Sequence, residues 1–181
     1  TNSMPAIALT DSSNLFGALE FSSLASKMGI KPIIGCRVNV RRDDKSSLMQ
    51  PNNKKLYPDT LVLLCQNDVG YSNLLHIVSQ SYLETSINEA PQVSIGDISR
   101  RASGLIALTA GAQGIISRLL LDGQVAAAGN AAEELLEIFK DRLYVQIERH
   151  GENSERDLEP KLIDLAYKMD IPLVATNGIY F

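Results

Sequence analysis

Four polar residues stand where this sequence could carry chemistry, each just after a run of apolar residues. They are Asp11, Glu148, His150 and Asn177. If the apolar runs are parallel strands, their carboxyl ends meet at one edge of a sheet, which is where open α/β sheets and barrels gather functional side chains. Carboxylates and imidazoles are metal ligands, so the chemistry that these residues indicate is a metal site.

The number of ligands argues against that site. The chain has two histidines, and His76 falls on the polar side of a predicted helix. A hydrolytic site with two or three metal ions needs about two to four protein ligands per ion. From the residues alone, the preferred interpretation is therefore that Asp11 caps the helix that follows it and that His150 lies in a turn.

Other catalytic motifs are absent from the sequence. It contains no Gly-x-Ser-x-Gly elbow, no Cys–His pairing and no HExxH. The small-residue turn 110–112 lacks the lysine and the glycine spacing of a phosphate-binding loop, so a tight turn between a strand and a helix is expected there.

The elements that would position these residues alternate along the chain. Buried strands are predicted from apolar runs at 6–10, 33–40, 61–65, 104–109, 143–147 and 171–175. Helical spacing predicts helices after Asn14, over 69–84, from Ser94 to about Arg101, and over the segments that end near Asp122, Phe139 and Met169. This order predicts an α/β fold with a mostly parallel sheet, and it leaves open whether the sheet is open or closed into a barrel.

Composition narrows the class of protein. The 181 residues are 45% hydrophobic and carry a net charge of −4, which suits one domain and argues against broad binding to nucleic acid. Cys36 and Cys65 lie in apolar runs and are expected to be reduced core residues of a cytoplasmic protein. No apolar run reaches the length that spans a membrane. Segment 41–58 is predicted to be a mobile loop, and both ends of the chain look cut.

Six long segments of the chain carry a resemblance to a known family. They are residues 4–21, 29–40, 67–82, 104–123, 141–151 and 171–181. Together they are similar to the N-terminal PHP (polymerase and histidinol phosphatase) domains of bacterial replicative DNA polymerase III alpha subunits. The resemblance covers nearly the whole chain, so residues 1–181 are expected to be a fragment of one PHP domain.

The resemblance implies a distorted β/α barrel of about seven strands. Family members usually begin with a strand that carries a His-x-His motif, so the first β-α unit is expected to be missing here. The parent protein is expected to be a DNA-directed DNA polymerase, a nucleotidyltransferase of DNA replication that uses Mg²⁺, with its polymerase regions beyond Phe181. The fragment itself is expected to have no activity and no cofactor.

The family's metal positions can be placed on this sequence one at a time. Asp11 and His150 are retained and would be vestigial, unoccupied metal ligands. The other positions carry Ser12, Arg37, Thr60, Gln146, Gly178 and Tyr180. Arg37 brings a positive charge to a place where a dication would sit. The resemblance therefore implies that metal binding has been lost.

The implied role is structural. Degenerate PHP domains of this family stabilise the polymerase chain and offer a docking surface to a separate proofreading exonuclease subunit, with little direct DNA contact and no membrane contact. The alternative is a metal-dependent phosphoesterase or proofreading PHP domain that the missing N-terminal strand completes. Arg37, Gly178 and Tyr180 argue against it.

Overall fold

A computed structural model describes residues 4–41 and 58–178 of the chain. In these ranges the strands are Ala6–Ser12 (β1), Lys31–Val40 (β2), Asp59–Cys65 (β3), Leu105–Leu108 (β4), Leu143–Ile147 (β5) and Leu173–Ala175 (β6). The helices are Ala18–Lys27 (α1), Asp68–Leu83 (α2), Ile95–Arg100 (α3), Ile115–Leu121 (α4), Val125–Phe139 (α5) and Asn153–Lys168 (α6). The predicted order of elements is confirmed.

The strands form one sheet in the order β1-β2-β3-β4-β5-β6. β1 and β2 are parallel, and so are β4 with β5 and β5 with β6. β3 is antiparallel to both of its neighbours, so the expectation of parallel strands is wrong for β3. Val40, the last residue of β2, is paired with Asp59, the first residue of β3. The start of β3 therefore lies at the edge where the other strands end.

The sheet has two faces with different partners. One face packs on the helices through a large core that includes Leu63, Leu105 and Val145 on strands and Leu74 and Phe139 on helices. The other face, called here the inner face, carries a smaller apolar cluster. Its buried members are Val62, Leu108 and Ala110, and Leu64, Ile106, Tyr144 and Val174 pack against them. The alternation of side chains along each strand separates the two sets.

The sheet is curled into a half-barrel, with β1 and β6 as its outer strands. This confirms the α/β class. The described ranges contain six strands. They therefore do not confirm the predicted seventh strand, nor the prediction that a first β-α unit is missing. In and around α1, Phe16, Leu19 and Met28 are 90%, 80% and 74% exposed.

Most of the predicted loop falls outside the described residues, because these resume only at Pro58. Arg41, the last described residue before it, donates its backbone N–H to Val93 O at 2.8 Å. No helix in the described ranges is long and apolar enough to cross a membrane.

Two helices differ in detail from expectation. Helical spacing predicts an apolar stripe on α2 through Tyr71, Leu74, Leu75, Val78 and Tyr82. Leu74 is buried and Val78 packs against the core as predicted, but Tyr71, Leu75 and Tyr82 are exposed. Gly70, Ile77 and Ser81 are buried with Leu74, so the true contact face is rotated from the predicted one. Pro160 lacks an N–H, which predicts the first turn of the last helix near Asp157–Pro160. Helix α6 begins earlier, at Asn153, because Glu152 and Glu155 form a capping box.

Candidate functional site

A polar cluster lies on the inner face, where the parallel strands end. Arg37 on β2 is in register with Val62, which belongs to the inner apolar cluster. Gln146 is the fourth residue of β5, and Glu148 follows that strand. Thr176 follows β6. These four side chains are called here the inner polar cluster.

An ion pair connects the two sides of this cluster. Arg37 Nη2 lies 3.4 Å from Glu148 Oε1, and the side chains are only 11% and 12% exposed. A buried charge is tolerated when an opposite charge and further hydrogen bonds accompany it. Glu148 has both, because Gln146 Nε2 donates to Glu148 Oε1 at 2.7 Å and Thr176 Oγ1 donates to the same oxygen at 3.4 Å.

Gln146 is the most deeply buried member, at 2% exposure. Its backbone N–H donates to Thr109 Oγ1 at 3.0 Å, and its side-chain Nε2 also donates to Thr176 Oγ1 at 2.8 Å. Its Oε1 is buried and accepts no hydrogen bond within the described ranges. The amide thus supplies two donors to its neighbours and keeps one acceptor open.

Glu148 is also held from the turn after β4. That turn is a short 3₁₀ segment, Gly111–Gln113, and Gly111 has a φ of +51°. A Cβ on Gly111 would lie 2.5 Å from Glu148 Oε2. The turn therefore acts as packing for a carboxylate, and the expectation of a plain tight turn at this point is confirmed.

Asp11 lies away from this ion pair in the sheet register. It is paired with Cys36, whose side chain belongs to the helix-covered core, while Ser12 is the residue in register with Arg37. Asp11 Oδ2 is 3.5 Å from the position that a Cβ on Gly17 would take. Gly17 is the N-cap of α1, and no side chain caps it by a hydrogen bond. The prediction that Asp11 caps a helix starting near Leu15 is therefore wrong. Helix α1 starts at Ala18, and Asp11 makes no capping hydrogen bond to it.

His150 belongs to the start of α6. Its ring Nδ1 lies 2.8 Å from Glu155 Oε1, and Glu155 Oε2 accepts the backbone N–H groups of His150, Gly151 and Glu152 at 2.7, 3.0 and 3.2 Å. The hydrogen bond to Glu155 raises the pKa of His150 above its ordinary 6.5. The same bond lowers the pKa of Glu155. This histidine lies in a turn, as the residues alone predicted.

A second ion pair at this edge was not anticipated from the sequence. Arg118 Nε and Nη2 donate to Asp59 Oδ1 and Oδ2 at 2.8 and 3.0 Å, and Asp59 is 3% exposed. It fixes the start of β3 to α4. The only hint in the sequence is that a charged residue directly precedes an apolar strand.

The profile of the PHP domain family matches residues 1–150, most of the chain. The chain belongs to the PHP domain family. Its curated relatives include the DNA polymerase III subunit alpha of Caulobacter vibrioides, 40% identical over 98% of this chain. Those of Treponema pallidum and Vibrio cholerae are 34% and 33% identical over 97% and 98% of it. The chain spans about 15% of the length of each relative.

A solved structure supports the fold of this PHP domain. A candidate metal-dependent phosphoesterase from Bifidobacterium adolescentis superposes with a TM-score of 0.53 at 13% identity, and the match covers 97% of this chain and 77% of the other. At this level of identity the likeness concerns the fold alone.

The residues of this PHP domain do not fit a metal ion at the inner polar cluster. Among the described residues, the carboxylate that a divalent cation would meet there is that of Glu148, which already contacts the guanidinium of Arg37. Across the described ranges, no three His, Cys, Asp or Glu side chains are grouped so that they could hold a metal. Asp11 and His150 therefore do not share such a group. Ser12 is exposed and Thr60 and Gly178 are half-buried, while Tyr180 lies outside the described residues.

Proposed function

We propose that this PHP domain is part of the alpha subunit of a replicative DNA polymerase III, a cytoplasmic DNA-directed DNA polymerase. Support comes from curated alpha subunits that are 33–40% identical over nearly all of the chain. The nucleotidyltransferase reaction and its Mg²⁺ belong to the remaining 85% or so of the parent's length. Within DNA replication, the 181 residues serve the polymerase as a structural domain.

The observation that carries the structural role is the Arg37–Glu148 ion pair. A phosphoesterase of this family would need carboxylates and imidazoles converging on metal ions. This chain has a guanidinium at one of those positions, in contact with the carboxylate of Glu148. The domain is therefore degenerate and metal-poor, and Asp11 and His150 are vestiges of the ligand set.

The partners that we propose are the rest of the polymerase chain and the proofreading exonuclease subunit. A net charge of −4 supports contact with protein more than contact with DNA phosphates. Exposed apolar side chains support the contact with the parent chain. Phe16, Leu19 and Met28 are strongly exposed. Among the described strands, β1 pairs with β2 alone, and an edge strand is a template for a further strand. A preceding β-α unit that pairs with β1 would extend the half-barrel toward the distorted barrel of about seven strands.

A second candidate function is a metal-dependent phosphoesterase or proofreading domain completed by that N-terminal strand. The description of the similar Bifidobacterium structure as a candidate metal-dependent phosphoesterase favours it. The retained Asp11 and His150 also favour it. Arg37 and Gly178 count against it, because Arg37 carries a positive charge and Gly178 has no side chain that could ligate a cation.

Metal analysis of the full-length parent polypeptide separates the two functions. Purified without chelators and exchanged into metal-free buffer, it should contain no stoichiometric zinc or manganese attributable to residues 1–181. A variant that carries both Asp11→Ala and His150→Ala is the control, because the metal that it still contains belongs to the polymerase region. Two or more ions per chain that disappear in this variant would establish the phosphoesterase site and end the structural proposal.

The docking role has its own test. Chemical crosslinking of the full-length polypeptide with its proofreading exonuclease subunit, followed by mass spectrometry, should give crosslinks that end within residues 1–181. Crosslinks confined to the polymerase region would contradict docking on this domain. The same sample without the exonuclease subunit controls for crosslinks within the parent chain.

A further inference from the structure

Arg37 and Glu148 join strands that are not neighbours. β3 and β4 lie between β2 and β5 in the sheet, and strand backbones three places apart are about 14 Å apart in a flat sheet. The 3.4 Å contact between the two side chains therefore spans the inner face of the curled sheet. A contact of this kind holds the curl, because flattening the sheet would pull the charges apart.

We propose that the Arg37 guanidinium is a built-in cation that ties β2 to the ends of β5 and β6, in the place of a bound metal ion. This deepens the proposed function and rests on it for the assignment of Arg37 to a former ligand position. A metal ion in a protein crosslinks the elements that supply its ligands. Here the guanidinium supplies the positive charge, and the Arg37 side chain attaches that charge covalently to β2.

The neighbours of the ion pair are matched to a single positive charge. Gln146 is neutral and donates to Glu148 Oε1 and Thr176 Oγ1. A carboxylate at position 146 could donate neither of these hydrogen bonds. It would also place a second anion beside Glu148, and two neighbouring carboxylates suit a divalent cation. With an amide at 146, the Arg37 guanidinium meets one carboxylate from the end of β5, that of Glu148. Gln146 Oε1 is buried in the same cluster and accepts no hydrogen bond from the part of the chain that the structure describes.

Gly111 positions the carboxylate from the opposite side. The space above Gly111 is filled by Glu148 Oε2, which would lie 2.5 Å from a Cβ at that residue. The carboxylate is thus confined between the turn after β4 and the guanidinium. Gly111 is a positioning residue in this proposal, and its missing side chain leaves the room that Glu148 needs.

The link that the Arg37–Glu148 ion pair makes between β2 and β5 is called here the tie. A double-variant cycle in the full-length polypeptide tests it, with amide hydrogen exchange measured peptide by peptide by mass spectrometry. Arg37→Met and Glu148→Gln should each speed exchange in peptides that cover β2 and β5, by about tenfold, since each removes the ion pair between two nearly buried side chains. The double variant should recover most of the protection. Arg149→Met, which removes an exposed ion pair with Glu159 next to the site, is the matched control and should leave β2 exchange unchanged.

A pair of glycine variants tests the positioning by Gly111. Gly111→Ala and Gly123→Ala both place a side chain at positive φ, but only the first meets a neighbour, since nothing lies within 4 Å of a Cβ on Gly123. Gly111→Ala should speed exchange in β2 peptides and Gly123→Ala should not. Equal effects on β2 would overturn the positioning, and additive effects in the Arg37–Glu148 cycle would overturn the tie.

The tie and the structural function fail in distinguishable ways. The cycle is measured in the presence of a chelator, so bound metal does not enter it. Additive single variants together with metal-free protein would remove the tie and leave the structural function standing. Coupled variants together with stoichiometric metal in residues 1–181 would keep the tie and remove the metal-poor function.

Discussion

Gly70 in the first turn of α2 lies against the backbone of Gly104, just before β4. A Cβ on Gly70 would be 1.8 Å from Gly104 O, and a Cβ on Gly104 would be 2.4 Å from Asn67 Oδ1. Asn67 is the N-cap of α2 and accepts the N–H of Gly70 at 3.0 Å. One helix start and one strand start are thus packed backbone to backbone, and this contact sets how α2 lies on the sheet.

Gly70→Ala is expected to lower the free energy of unfolding by about 1–3 kcal/mol, the range typical of overpacking in a close-packed site. The overlap is with backbone, which cannot rotate away as a flexible side chain would. Urea unfolding followed by circular dichroism measures it.

Gly129→Ala in α5 is the matched control for this substitution. Nothing lies within 4 Å of a Cβ on Gly129, and alanine is the better helix former by about 0.5–1 kcal/mol. That variant should be more stable than the original chain. Similar loss of stability in both variants would show that the Gly70–Gly104 contact is not the cause.

The pH dependence of the His150–Glu155 pair follows from opposite pKa shifts. The pKa of His150 is raised from 6.5, first by its hydrogen bond to Glu155, so its contribution to stability is complete below 6.5 and is lost as pH rises through the higher folded value. The pKa of Glu155 is lowered from 4.5, first by its hydrogen bond to His150, so its contribution is complete above 4.5 and is lost as pH falls through the lower folded value. The pair therefore stabilises the start of α6 most between pH 4.5 and 6.5.

An NMR titration of the His150 ring protons checks this directly. The ring should titrate above 6.5, and Glu155→Gln should bring the pKa back toward its ordinary value. Glu152→Gln should lower it less, because Glu152 acts only through a weaker charge interaction. An unchanged titration in Glu155→Gln would mean that the Nδ1–Oε1 hydrogen bond does not form in solution.

The features that the sequence predicts well are local ones. Ser94 followed three residues later by Asp97 resembles a capping box at the start of a helix. In α3 the N–H of Asp97 donates to Ser94 Oγ at 3.1 Å. Gly29 follows α1 with the positive φ, +73°, that a glycine at a helix end provides. Such features depend on neighbours within four residues, so the residue types alone indicate them.

The features that the sequence predicts poorly depend on distant partners. Arg37 and Glu148 are 111 positions apart, and only the curl of the sheet brings them together. The direction of β3 depends on how the chain returns after β2, which an apolar run does not encode. The contact face of α2 is set by the Gly70–Gly104 approach, because glycine carries no hydrophobic signal in a search for apolar stripes.

The two cysteines are expected to be unreactive in the folded chain. Burial raises the pKa of Cys36 and that of Cys65 to about 11, so little thiolate is present at pH 8, and thiolate is the reactive form. Iodoacetamide at pH 8 should label neither residue within minutes, and both should be labelled after unfolding in urea. Intact mass spectrometry counts the additions. Rapid labelling of Cys36 in the native chain would contradict its complete burial.

Arg118→Met is expected to destabilise the chain by about 2–4 kcal/mol. Asp59 is 3% exposed, and removing one member of a buried ion pair leaves the other charge poorly compensated. The loss should appear as a lower urea midpoint. Because Arg118 fixes the first residue of β3 to α4, backbone amides at the start of β3 should lose protection first.

Asp59→Asn tests whether the pair as a unit, or the arginine alone, supports this edge of the sheet. When combined with Arg118→Met, it should restore part of the stability that Arg118→Met removes, since a neutral amide is less costly to bury than a charged carboxylate. Arg149→Met serves as the control, because Arg149 is exposed and its loss should leave the urea midpoint almost unchanged. If Arg118→Met and Arg149→Met shift the midpoint equally, burial of Asp59 does not govern the strength of the pair.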